Sequence, residues 1–146
     1  MRYLISLLLL LCVACSPYRG MRRASFTYTA GGSSKTVPMK VPRGWRDVRS
    51  EAGAEGAQSR VYRYRDGSVF YVQYAPSGGD VQPIDRAAHI PSLRANGDTS
   101  YKQQTGERYW REDKKGLLRA GYINVPEGTP EMRFDSAVNS VKRVNG

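Results

Sequence analysis

Residues 62–74, Tyr-Arg-Tyr-Arg-Asp-Gly-Ser-Val-Phe-Tyr-Val-Gln-Tyr, predict an antiparallel β-hairpin, because aromatic and polar residues alternate on both sides of an Asp-Gly pair. The larger side chains stand at even positions: Tyr62, Tyr64, Phe70, Val72 and Tyr74. They share one face only if the loop holds an odd number of residues. We therefore expect the three-residue loop Arg65–Gly67, with Gly67 in the left-handed conformation of a bulge. A two-residue Asp66-Gly67 turn would scatter the aromatic residues over both faces.

The opposite face of this hairpin carries candidate binding residues. Arg63, Arg65 and Tyr71 alternate with the apolar set and are expected to be exposed. Arg108 and Arg111 become their neighbours if the last hairpin of the chain lies alongside. Exposed tyrosine and arginine are frequent contact residues in binding surfaces. The sequence therefore predicts a basic contact face made of Arg63, Arg65, Tyr71, Arg108 and Arg111.

Two further hairpins are predicted at residues 25–41 and 108–125, with turns at Gly31–Ser34 and Lys114–Gly116. Pro38 places one strand of the first hairpin at a sheet edge. In the second, Trp110 is expected to face the core, and the strand after the turn is apolar on both faces, as in a central strand that is covered twice.

The chain ends in a predicted helix. Thr129 can cap it and Pro130 suits its first position. Apolar residues then recur at helical spacing: Phe134, Ala137, Val138, Val141 and Val144. The fold class predicted from these elements is α+β, with a curved antiparallel sheet of hairpins and a C-terminal helix packed on one face. Residues 25–146 are expected to form this single domain.

Residues 76–100 are rich in Pro, Gly, Asp, Ser and Asn and predict a flexible insertion. One short helix is expected within Ile84–Leu93, where Pro91 limits its extension.

The N-terminal residues have the pattern of a secretory signal. Arg2 precedes an apolar run, Tyr3–Val13, and small residues follow. This run is shorter than the roughly 20 residues that a membrane-spanning helix needs.

Val13-Ala14-Cys15 resembles the lipobox of bacterial lipoproteins, although Cys12 stands where leucine is common. The resemblance implies that residues 1–14 are removed and that Cys15 carries acyl chains such as palmitate. Ser16, in place of the aspartate that retains lipoproteins at the inner membrane, implies the outer membrane, with the domain facing the periplasm. Residues 15–24 are then the lipidated cysteine and a basic tether that lies along anionic head groups.

The remaining chain is strongly basic. Of 23 Lys and Arg only Arg2 is lost, so 22 basic and 13 acidic residues leave a net charge of +9. Both cysteines lie at or before position 15, so the domain has no thiol for a disulfide, a zinc cluster or a nucleophile. The basic residues either bind an anionic partner or keep exposed strands soluble.

No catalytic motif is evident. His89 is the only histidine, which is too few for a transition-metal site without thiols. Serines lack the Gly-x-Ser-x-Gly setting, and no Lys-Ser or Lys-Thr follows the glycine pairs as in a phosphate loop. The sequence thus predicts no enzyme, no cofactor and no metal.

The layout also resembles the PsbP-like fold, an α/β/α sandwich on a curved antiparallel sheet. The resemblance rests on Val41-Pro42-Arg43-Gly44-Trp45 after a strand and on the terminal helix Phe134–Val141. It covers residues 25–145 and implies binding or assembly factors without a shared catalytic site.

Together these observations predict a membrane-anchored, non-enzymatic binding or assembly module of the cell envelope. Its expected partner is anionic lipid, acidic polysaccharide or an envelope protein. Nucleic acid suits basic and aromatic residues but does not suit an exported lipoprotein. The alternatives are a protein–protein assembly factor of a secretion or transfer machine, and a small hydrolase that uses carboxylates from residues 80–113.

Overall fold

The computed structural model describes residues 20–77, 92–93 and 98–144. The described part contains strands that pair only in antiparallel fashion, apart from one isolated bridge, and one α-helix near the C-terminal end, which confirms the α+β class. A single 3-10 turn, Ala54–Gly56, follows β3. The strands are β1 (Met21–Ala30), β2 (Ser33–Pro42), β3 (Trp45–Ala52), β4 (Gln58–Tyr64), β5 (Val69–Tyr74), β6 (Ser92–Leu93), β7 (Thr99–Thr105), β8 (Arg108–Lys115) and β9 (Leu118–Pro126). The helix α1 is Thr129–Ser140.

Strands β1 and β2 form a separate two-stranded hairpin. Gly31 and Gly32 make its two-residue turn, and both have positive φ (56° and 77°), which tight hairpin turns of this kind require. The hairpin is longer than predicted. Met21–Ala24, which the sequence assigned to the tether, belong to β1 and pair with Met39–Pro42.

The remaining strands form one antiparallel sheet in the order β3-β4-β5-β9-β8-β7-β6. The predicted register of the β4–β5 hairpin is confirmed, since Tyr62 lies opposite Phe70. The Tyr64 amide donates to Ser68 O at 2.9 Å across the loop, and Gly67 has φ 84°. The odd loop length places the even-numbered aromatic residues on one face, as expected.

The β8–β9 hairpin differs from its prediction in the turn. Lys115 pairs with Leu118, so the turn is Gly116-Leu117 rather than Lys114–Gly116. Strand β9 lies between β5 and β8, which agrees with its apolar residues on both faces. Trp110 lies outside the main apolar core, against expectation, and donates to the Gln103 side chain.

Helix α1 begins one residue earlier than predicted. Gly128 is its N-cap, Thr129 is already helical, and no side chain caps the end, so the capping prediction for Thr129 is wrong. The apolar residues that α1 and its C-cap bury are Phe134, Ala137, Val138 and Val141, as the spacing predicted, and Ser136 is buried with them. Val144, the last residue of the predicted series, lies beyond the helix and forms an isolated bridge with Gly116.

The β1–β2 hairpin and α1 together cover one face of the large sheet. Tyr28 of β1 stacks on Tyr74 of β5 with ring centroids 4.4 Å apart, and Phe134 of α1 contacts Tyr64 and Tyr122 at 5.0 and 5.7 Å. Strand β1 lies over β4, where the Gln58 side chain exchanges two hydrogen bonds with the Thr29 backbone. The main core therefore lies between the sheet and this second layer.

The predicted helix within 84–93 falls almost entirely outside the described residues. Its last two residues, Ser92–Leu93, form β6 and pair with β7. Within the described ranges no helix has the length and hydropathy needed to cross a membrane.

Candidate anion-binding groove

Arg63, Arg65 and Arg108 of the predicted contact face lie at the surface. Arg65 is exposed in the β4–β5 loop. Arg63 donates to Glu51 Oε1 at 3.1 Å and lies 3.7 Å from Asp47 Oδ2. Arg108 donates to the carbonyl oxygen of Asn124 at 3.1 Å. Of the three, Arg63 is already paired with neighbouring carboxylates and is therefore less able to bind a ligand.

Tyr71 is not exposed, so the expectation of an accessible aromatic residue there is wrong. Its side chain is 0% exposed, and its hydroxyl donates to Glu112 Oε2 at 2.6 Å. It crosses strand β9 at Gly121, where an added Cβ would lie 2.5 Å from the Tyr71 oxygen. Alternation correctly assigned Tyr71 to the second face of the sheet. The central strands are buried on that face too, in agreement with the apolar residues that β9 carries on both of its faces.

Arg111 is also buried, and on the other face, so it cannot join the predicted surface. Arg111 lies opposite Tyr122, in the same register as the rest of β8 up to Lys115, and its side chain faces α1. It donates to both carboxylate oxygens of Asp113, at 2.9 and 2.7 Å, and to Asp135 at 2.8 Å. Burial acts to lower the pKa of Arg111, but these carboxylates raise it by more, so the guanidinium is charged throughout.

Cys15, the predicted lipidation site, lies outside the described residues, as do His89, Asp80 and Asp85. In the described part of the chain, no three His, Cys, Asp or Glu side chains lie close enough together to hold a metal ion.

A cationic groove lies between β1 of the hairpin and β3–β4 of the large sheet. One end of it has a volume of about 560 Å³ and is lined by Arg22, Arg43, Gly44 and Trp45. The adjoining part has about 330 Å³, and its lining includes Arg22, Arg23, Trp45, Arg60 and Tyr62. Arg22 and Trp45 belong to both parts, so the two are continuous. We call this surface the arginine groove and define it by Arg22, Arg23, Arg43, Trp45, Arg60 and Tyr62.

Two aromatic rings order the guanidinium groups of the groove. Arg22 Cζ lies 5.7 Å from the centroid of the Trp45 ring, and Arg60 Cζ lies 5.9 Å from that of Tyr62. The two rings contact each other edge to face, with centroids 5.5 Å apart. A guanidinium this close to an aromatic ring gains a cation–π attraction, and its N–H groups can still donate to an oxyanion.

Arg60 is only partly satisfied within the described structure. Its Nη1 donates to Ser25 O at 3.3 Å, whereas Nε is buried and has no hydrogen-bond partner. An unpaired buried donor is uncommon in folded proteins and points to a functional role or to a bound group.

No carboxylate lines either part of the groove within the described residues. The nearest acidic side chains along β3, Asp47 and Glu51, alternate to the opposite face and pair with Arg49 and Arg63. The positive charge of the groove is therefore not neutralised from within.

Tyr62 forms an uncharged part of the groove. Burial raises its pKa, and the nearby Arg60 offsets only part of that increase. The phenol stays protonated at neutral pH, so it adds no negative charge beside the arginines.

Sequence reasoning missed most of this site. It assigned Arg22 and Arg23 to the tether, read Arg43 and Trp45 as the end of a strand, and did not single out Arg60. The groove is made by two chain segments that meet only in the folded protein, and alternation within one hairpin does not reveal which segments meet. The available signal was the dipeptide Arg22-Arg23 directly before an alternating stretch.

Comparisons with models of protein families, with curated proteins and with solved structures found no match.

Proposed function

We propose that this protein is a lipid-anchored, non-enzymatic binding module of the bacterial cell envelope, and that the arginine groove binds an anionic partner. The observation that carries the proposal is the clustering of four arginines around Trp45 and Tyr62 with no lining carboxylate. Guanidinium groups match the planar, two-oxygen geometry of phosphate, sulfate and carboxylate. The partner class is thus a molecule that carries several such groups.

The anchor is part of the same proposal. The short apolar run, Ala14 and Cys15 support lipidation at Cys15, and Ser16 supports the outer membrane with the domain in the periplasm. More than one acyl chain is needed for stable anchoring, because each buried methylene contributes about 0.8 kcal/mol. Mass spectrometry of the protein purified from bacterial membranes tests this directly. A chain that begins at an unmodified Met1 would contradict it.

The arginine groove holds four guanidinium groups along its two adjoining parts. Arg43 lies at one end, Arg22 beside Trp45, and Arg60 at the other end beside Tyr62. A partner with repeated anionic groups can therefore contact several guanidinium groups at once. Such binding is electrostatic and is expected to weaken with ionic strength.

A paired charge removal tests the groove. Changing Arg22→Gln together with Arg43→Gln is expected to weaken binding of the mature protein to dextran sulfate roughly 30-fold in low salt, since each cation contributes about 1 kcal/mol. The matched control is Lys35→Gln with Lys114→Gln, which removes equal charge from exposed positions away from the groove. Titration by fluorescence anisotropy measures both. Equal losses in the two variants would mean that net charge alone binds the polymer.

The assembly-factor alternative predicts an apolar docking surface. Among the described residues, Met132 is the single large apolar side chain that is well exposed, at 50%. This distribution favours the charge-based proposal. The hydrolase alternative gains no support from Asp113, which is held by Arg111 and Ser100.

We also propose the PsbP-like fold for residues 25–145. Trp45 after β2 and the packing of α1 on one face of an antiparallel sheet support the likeness. An experimental structure with a second helical layer on the opposite face would be the decisive observation.

A further inference from the structure

We infer that the partner of the arginine groove is the anionic head-group layer of the membrane that carries the anchor, so that the domain docks on that membrane through β1–β3. This inference rests on the proposed lipid anchor and names the partner of the proposed site. It follows from where the groove lies relative to the point at which the chain enters the fold.

The groove lies directly at that entry point. The Arg43 amide donates to Gly20 O at 2.8 Å, and Met21 pairs with Pro42. Arg22 follows two residues after Gly20 and already lines the groove. The first described residues therefore carry two of the four arginines of the groove, Arg22 and Arg23.

The tether keeps the groove close to the membrane. Five residues connect Cys15 to Gly20, and a fully extended chain of this length reaches about 18 Å. Electrostatic attraction is screened over roughly 8 Å at physiological salt, so modest movement of the tether brings the arginines into range. An anchored domain also meets head groups at a far higher effective concentration than any soluble polymer.

The residues of the groove suit a membrane interface. Trp45 combines an apolar ring with an N–H donor, a combination enriched at the boundary between lipid and water. Antiparallel pairing brings Arg65, in the loop after β4, to the same end of the sheet, because Trp45 lies opposite Tyr64. Of the described acidic residues at this end, Asp66, Glu107 and Glu127 follow β4, β7 and β9. Asp47 of β3 pairs with Arg49, so it leaves the arginines of the groove unneutralised.

The two tryptophans provide a built-in test. Trp45 is in the groove, whereas Trp110 lies four strands away in the sheet order, at roughly 19 Å by strand spacing, and on the opposite face. The full lipidated chain with Trp110→Phe reports on Trp45 alone, and the chain with Trp45→Phe reports on Trp110 alone. Each is reconstituted in vesicles of brominated phosphatidylcholine with or without brominated phosphatidylglycerol.

We expect Trp45 to lose most of its emission in vesicles that contain phosphatidylglycerol, and to regain it in high salt. Trp110 should be little quenched in either vesicle. Adding Arg22→Gln and Arg43→Gln to the Trp45 reporter should abolish quenching while the protein stays anchored, whereas Lys35→Gln with Lys114→Gln should leave quenching unchanged.

The outcomes separate the two proposals. Equal quenching of both tryptophans, or none of Trp45 in an acylated, vesicle-bound protein, overturns the membrane docking and leaves the anchor and the dextran sulfate result standing. Loss of polymer binding through Arg22 and Arg43 without Trp45 quenching assigns the groove to a soluble polyanion instead. A chain that carries no acyl group overturns both the anchor and the docking.

Discussion

Arg111 illustrates how the face on which a side chain lies decides its role. The sequence analysis grouped it with Arg63 as a possible surface neighbour, but its side chain lies on the face of the sheet that packs against α1. There it joins Asp113 and Asp135 in a buried set of charges. Arg108 and Arg111 are three residues apart in one strand, so alternation already places them on opposite faces. What the sequence did not show is that α1 covers the face of Arg111.

Removal of Arg111 should therefore affect folding rather than binding. Arg111→Leu is expected to lower the free energy of unfolding by about 3–5 kcal/mol, because it leaves Asp113 buried without its cation. Urea denaturation measures the change. The exposed Arg65→Leu serves as control and should stay within about 0.5 kcal/mol. Similar losses in both variants would argue against the buried charge set.

Asp113 makes stability depend on pH. Burial acts to raise its pKa, but hydrogen bonds from Arg111 and Ser100 lower it by more, so its pKa in the folded state lies below the ordinary value. A lowered pKa stabilises the fold above the unfolded-state pKa of about 3.9, and this contribution is lost as the pH falls through the folded-state pKa. We expect the free energy of unfolding to fall from about pH 5 downward, and to fall less in Asp113→Asn. Identical pH slopes in urea denaturation would contradict this.

At the scale of elements, α1 was well predicted and two strands were not. Its apolar spacing identified the buried face because a helix of this length repeats the pattern several times. Strand β3 carries charged residues on its exposed face and β7 is mostly polar, so neither has a clear alternation. Both lie toward the edges of the sheet, where one face is less buried and the sequence signal is correspondingly weak.

The contribution of α1 to the core is tested within the helix itself. Phe134→Ala is expected to lower the free energy of unfolding by about 3–5 kcal/mol, since it removes a buried ring that contacts Tyr64 and Tyr122. Met132→Ala, on the exposed side of the same helix, should have little effect. Thermal and urea denaturation compare the two. A large loss at Met132 would mean that this side of α1 is also packed.

At the scale of the whole molecule, the composition predicts a basic domain but does not show which of its basic residues form a binding surface. The +9 charge is spread over every segment of the sequence, and much of it is neutralised locally, as at Arg63 and Arg111. The unneutralised cluster arises where the β1–β2 hairpin folds over β3 and β4. That tertiary contact joins Arg22 to Arg60, which are far apart in sequence, and no local pattern specifies it.

A bound anion should stabilise the entire domain. Saturation of the groove with dextran sulfate at 100 times its dissociation constant is expected to add about 2.7 kcal/mol to the free energy of unfolding. The melting temperature should rise accordingly, and the rise should be largely absent in the Arg22→Gln, Arg43→Gln variant. Calorimetry gives the shift. A similar rise in that variant would place the polymer elsewhere.

The Met21–Pro42 pair has a mechanical consequence. The tether joins β1 at the open end of its hairpin, so a pull that lifts the domain away from its anchor loads this first pair of the ladder. The remaining residue pairs between β1 and β2 then separate one after another rather than all at once. We expect Arg22 and Arg43 to part under tension while the seven-stranded sheet stays intact. We expect the hairpin to form again when the load is removed, so that this end of β1–β2 opens reversibly under force.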